Sequence, residues 1–112
     1  MFAEKVNVLG TDYTIEVLNE NDDKYLSDRD GYCDKTSHRI VLAEIRKNNE
    51  LDDFEVYQKA TLRHELVHAF LFESGLHESF THPKWGHEET MIDWIAVQFP
   101  KMVKAMQEAG CL

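Results

Sequence analysis

Residues 53–75 read DFEVYQKATLRHELVHAFLFESG, and the fold turns on how this stretch is taken. Acidic Asp52 and Asp53 stand where a helix N-terminus favours negative charge, and apolar positions then recur at helical spacing as far as Phe72. Gly75 follows where a left-handed residue commonly ends a helix. The spacing therefore predicts one helix over about 53–74. In its middle lies His64-Glu65-Leu66-Val67-His68, flanked on both sides by apolar residues, so the motif is expected on a helix largely packed inside.

Upstream, the period changes from helical to two. Residues 5–9 (KVNVL) and 12–18 (DYTIEVL) alternate around Gly10-Thr11, which predicts an antiparallel hairpin. Residues 19–35 are crowded with Asn, Asp, Ser and Gly and read mostly as loop. Residues 38–45 (HRIVLAEI) are apolar and β-branched, the pattern of a third strand beside the hairpin. Downstream of Gly75, the segment SGLHESFTHPKWGH reads as an irregular connection, and a second helix is expected over about 88–99. Pro100 is expected to break or kink that helix, with a last helical turn or two before Gly110. The fold class is accordingly α+β, a small antiparallel or mixed sheet packed on the first helix and joined by the second.

Composition bounds the rest. A chain of 112 residues with 43% hydrophobic content fits a single domain over 1–112 with its own core. The formal net charge of −9 repels phosphate backbones and anionic lipid, so neither nucleic acid nor membrane is an expected partner. Apolar runs are short and broken by charge, which points to a soluble, cytoplasmic protein. With only Cys33 and Cys111, neither a disulfide framework nor a multi-cysteine zinc site is indicated. Met91, Met102, Met106, Trp85 and Trp94 read as packing residues.

The chemistry concentrates in His64-Glu65-Leu66-Val67-His68. Helical residues i and i+4 share a face, so both imidazoles can reach one cation, and zinc accepts that geometry. Glu65 is rotated about 100° from His64, free to take a proton from water rather than to bind metal. With 6 His and 12 Glu in the chain, random placement yields this pattern on the order of 0.03 times. A catalytic zinc needs a third ligand, and His77, His82, His87, Glu88 and Glu89 are the downstream candidates. The metzincin pattern fails, because Leu71 stands at its glycine position and Ser74 at its last histidine. Glu89 and Asp93 are four apart on one helix face, so one can bind zinc while the other accepts the N–H of a ligand histidine. Tyr57, His77, His82 and His87 are possible donors to a developing oxyanion, and no spacing rule selects among them.

With Glu89-Thr90-Met91-Ile92-Asp93 as its E-x-x-x-D pattern, the chain resembles the gluzincins, the thermolysin-like metallopeptidases. The resemblance implies a minimal zincin-like fold with His64, His68 and Glu89 as zinc ligands, Glu65 as general base and Asp93 as outer partner of a ligand histidine. Over roughly residues 30–99 the chain is similar to the short ImmA/IrrE-like metallopeptidase domains of phages and mobile elements. The implied activity is zinc-dependent peptide-bond hydrolysis on a peptide or protein substrate. Two alternatives stand beside it. One is a resemblance to SprT-like proteases, with His82 or His87 as third ligand. The other is a non-enzymatic metal-binding interaction protein of a mobile element.

Overall fold

The computed structural model describes residues 2–76 and 87–112. His77, His82 and Trp85, singled out above, lie outside the described residues. The chain forms a four-stranded mixed sheet and two long helices: β1 (Lys5–Val8), β2 (Thr11–Leu18), β3 (Gly31–Asp34), β4 (Arg39–Ala43), α1 (Phe54–Ser74) and α2 (Glu89–Ala109), with a short 3-10 turn over Lys24–Ser27. The strand order is β1-β2-β4-β3. β1 and β2 pair antiparallel, β2 and β4 parallel, and β3 and β4 antiparallel.

The opening hairpin forms as expected, but its turn is one residue earlier. Val8 pairs with Thr11, leaving Leu9 and Gly10 as the turn, both at positive φ (50° and 97°). Two positive-φ residues suit the twist of a hairpin, and Gly10 takes its place without steric cost. Asn7 braces the turn, accepting the Gly10 N–H at 3.0 Å and donating to Asp12 at 3.0 Å.

The segment 19–35 is mostly loop and turn, as expected, but not wholly. It holds the 3-10 turn and the edge strand β3, whose Cys33 pairs with Ile40. Its polar residues serve the turns on either side. Asp23 caps the 3-10 turn, and Asp34 accepts from the Thr36 N–H and the Thr36 and Ser37 hydroxyls, closing the β3–β4 turn. Four-residue β3 is too short for composition to reveal against that background.

β4 is central, and its run Ile40-Val41-Leu42-Ala43 is buried throughout, as a strand covered on both faces must be. Ile40 and Leu42 join Val8, Tyr13 and Ala69 in the core between sheet and α1, with Leu62 and Leu66 packed against it. Val41 and Ala43 face the other way, onto Leu26 of the 3-10 turn. Each buried Val, Leu or Ile among them contributes about 1.5–3 kcal/mol.

α1 matches the expected span, with Asp53 accepting the Val56 N–H and Gly75 closing the helix at φ 81°. Fewer of its residues are buried than its apolar sequence suggests; Gln58, Glu65 and Ala69 are, whereas Phe70 is 47% exposed. The helix is pinned to the sheet near both ends. Gln58 Nε2 donates to the Ala43 carbonyl at 3.0 Å, and Glu73 accepts from Tyr13 Oη at 2.7 Å and Thr11 Oγ1 at 2.9 Å. Between the pins, Gly31 of β3 lets α1 come close, because a Cβ there would lie 3.2 Å from Thr61 Cγ2 and 2.9 Å from the Val41 carbonyl. His64, Glu65 and His68 are thus carried on a segment fixed to the sheet before and after them.

α2 departs furthest from expectation. Pro100 does not end it; the helix runs on to Ala109, with Gly110 as its left-handed cap. Proline removes the bond to the carbonyl four residues back, here Ala96. That carbonyl is met instead by Arg63 Nε of α1 at 2.5 Å, which removes the penalty of an unpaired acceptor. α2 buries Ile92 and Ala96, while Met91, Trp94 and Met106 are exposed rather than core residues. Met91 and Trp94 lie off the face that buries Ile92 and Ala96, while Met106 stands near the C-terminal end of the helix. Among the described residues no helix is long and apolar enough to cross a membrane.

Candidate metal centre

The side chains at i and i+4 of α1 meet the first turn of α2. His64 Nε2 lies 3.1 Å from Glu89 Oε2, and His68 Nε2 lies 3.0 Å from Glu89 Oε1. These three residues each offer a ligand atom, all within 4.8 Å of one another. Atoms bound tetrahedrally at zinc's usual distances stand roughly 3.3 Å apart, so the spacing already present fits such an ion. The two imidazoles are largely buried, whereas Glu89 reaches in from an exposed position.

The opposite ring nitrogens are also engaged. His64 Nδ1 lies 2.7 Å from Asp93 Oδ1, and His68 Nδ1 lies 2.8 Å from His87 Nδ1. A carboxylate only accepts, so with its proton on Nδ1 toward Asp93, His64 would offer the Nε2 lone pair to a cation held beside Glu89. The His68–His87 pair works the same way when His68 donates and His87 accepts. Burial lowers the proton affinity of His68, outweighing the attraction of Glu89, while His64 and His87 lower it further. His68 in its neutral form, with its proton on Nδ1, would likewise offer Nε2 to that cation. Potential ligand atoms from three residues thus converge on one point. The donor set fits a divalent zinc ion.

Glu65 stands beside this point. It is 7% exposed, with its Oε2 4.0 Å from His64 Nε2. Burial pushes its carboxyl up to about 7; His64 opposes the shift and the Glu89 charge adds to it. A carboxyl poised there is matched to proton transfer near neutrality. Cys33, half-buried on β3, shares the cleft, but burial and the Glu65 charge push its thiol up to about 12. In the metal-free protein it stays a protonated thiol.

The cleft has a volume of about 870 Å³ and runs between β3, α1 and α2, with Glu65 and the three candidate ligands along its lining. Tyr57 lies on the same wall two helical turns before His64, but its hydroxyl donates to Asp30, which also accepts from Arg46 at 2.8 Å. That bond and burial push the Tyr57 phenol up to about 12, so it stays protonated. Helical side chains lean toward the N-terminus, which carries this hydroxyl away from the histidines.

Of the residues selected from sequence, the structure brings His64, Glu65, His68, Glu89 and Asp93 together. Glu88 turns back to cap α2, its carboxylate accepting the Thr90 and Met91 N–H groups at 3.1 and 2.9 Å. His87 stands behind His68, stacked at 10° between ring planes, and not at the Nε2 corner. The sequence offers His87 as a third ligand or an oxyanion donor, and no spacing rule points to this supporting contact behind His68. No family model matches the chain, and neither the curated proteins nor the solved structures compared with it contain a significant match.

Proposed function

We propose that this protein is a zinc-dependent peptide hydrolase of the gluzincin kind, in a minimal zincin-like arrangement of sheet and two helices. The observation that carries this reading is the meeting of His64 Nε2 and His68 Nε2 with the two oxygens of Glu89 at 3.0–3.1 Å. His64, His68 and Glu89 would hold the ion, and Asp93 and His87 would orient the two imidazoles from behind. When bound, zinc supplies Lewis-acid polarisation and lowers the pKa of water.

The chain's own residues account for the proton. Glu65 is buried beside the ligands and oriented into the cleft, so it can accept a proton from attacking water and return it to the departing amine. The cleft between β3, α1 and α2 would be where a chain segment reaches that point. Glu89 rather than His87 is read as the third ligand, because His87 engages the far nitrogen of His68.

The test is metal analysis of the purified protein followed by a peptide-library cleavage assay. Stoichiometric zinc with chelator-sensitive cleavage is expected. Protein that takes up no zinc, or cleavage indifferent to chelator, would overturn the reading.

A further inference from the structure

The two helices that make the candidate centre meet along a narrow apolar seam, with Ile92 and Ala96 the buried residues of α2. Apolar packing is not directional, so such a seam by itself does little to set how far α2 slides along α1. Glu89 and Asp93 nevertheless need a defined register, because a shift of one turn moves them about 5.4 Å from the histidines.

A directional contact lies at this seam. Arg63, the residue before His64, donates from Nε to the Ala96 carbonyl at 2.5 Å. That carbonyl is available because Pro100, four residues on, has no N–H for it. Ala96 lies three residues beyond Asp93 and seven beyond Glu89, hence one and two turns along the same face. A charge-assisted bond to a backbone atom fixes both the axial position and the rotation of α2, since the carbonyl cannot turn without the helix.

We infer that Arg63 is a positioning residue for this centre: by binding the carbonyl that Pro100 releases, it sets the register of α2 on α1 and delivers Glu89 and Asp93 to His64 and His68. The inference rests on the reading of His64, His68 and Glu89 as zinc ligands. Pro100, costly within a helix, then has a purpose, and replacing it should separate stability from binding.

The experiment compares the full chain with Arg63→Ala and Pro100→Ala by zinc titration, by melting without metal, and by proton NMR contacts between the His64 ring and the Asp93 side chain in metal-free protein. Arg63→Ala should weaken zinc binding about 10-fold or more, within the range for groups that orient ligands, and lose the His64–Asp93 contacts. Pro100→Ala restores a helical donor to the Ala96 carbonyl, so its metal-free melting point should rise while its zinc affinity falls. A merely structural role would move the two together. Unchanged affinity in Arg63→Ala, or a Pro100→Ala variant that gains stability and binds zinc as tightly as the parent, overturns the inference. If Arg63→Ala does not fold, Pro100→Ala decides. If the parent takes up no zinc, the functional reading fails separately, and the metal-free contacts decide: their loss in Arg63→Ala sustains the register role and their persistence refutes it.

Discussion

His64 Nδ1 and Asp93 Oδ1 lie 2.7 Å apart, joining residues 29 positions distant in the chain. The contact orients the ring so that Nε2 faces Glu89, although Asp93 itself is 68% exposed. Asp93→Ala should therefore weaken zinc binding by about 10- to 100-fold without abolishing it. A competitive zinc titration measures this, and an affinity equal to the parent's would remove Asp93 from the site.

Glu88 and Glu89 are adjacent acids with different tasks. Glu89→Ala removes a candidate metal bond and should cost more affinity than Asp93→Ala. Glu88→Ala loses the cap on the Thr90 and Met91 N–H groups, so it should lower stability and leave zinc affinity nearly intact. Titration and melting of both variants check the contrast. His87→Ala serves as a control, since loss of binding there with Glu89→Ala unaffected would transfer the third position to a histidine.

Much of this site was legible because its information is local. His64, Glu65 and His68 lie within one turn and a half of helix, and the Glu89–Asp93 spacing states a shared face. The capping of α1 by Asp53 and Gly75 was equally readable. β3 was hidden because a four-residue edge strand among turn-forming residues leaves almost no periodic signal. Where α2 passes through Pro100, the freed Ala96 carbonyl is met by Arg63, a partner 33 positions away that no local rule reports. Exposure of Met91, Trp94 and Met106 likewise depends on how little of α2 the rest of the chain covers.

Chelation should lower the melting point without removing the cooperative transition. The core of Val8, Tyr13, Ile40, Leu42 and Ala69 lies between sheet and α1 and does not include the candidate ligands. Zinc at about 1,000 times its dissociation constant adds roughly 4 kcal/mol by linkage. Melting scans with and without chelator check this; complete loss of the transition in the metal-free sample would show that the ion holds the fold.

Acid should loosen the β3–β4 turn that carries one wall of the cleft. The Thr36 hydroxyl and N–H and the Ser37 hydroxyl hold the Asp34 carboxyl down to about 2, against an ordinary value near 3.9. A depressed carboxylate contributes stability that is present above its unfolded pKa and lost as pH falls through the folded one, here between about pH 4 and pH 2. The group is close to solvent, so the contribution is at most about 1 kcal/mol. Asp34→Asn should be less stable than the parent at pH 6 and converge with it near pH 2 in denaturant titrations. A constant difference across that range would assign the effect to geometry instead of charge.

Glu65→Gln separates holding the ion from using it. The amide keeps the shape of a side chain that is 7% exposed beside His64, so the cleft and the three candidate ligands should stay in place and zinc affinity should change little. What the amide lacks is basicity: it cannot take a proton from water or return one to an amine. A base contributes typically about 10²- to 10⁴-fold to such reactions, so peptide cleavage should fall at least by that factor at full zinc occupancy. Zinc content and cleavage rate, measured on the same preparation, decide the matter. Cleavage at the parent's rate would mean that Glu65 is not the base, while loss of zinc along with activity would mean that its carboxylate helps to hold the ion.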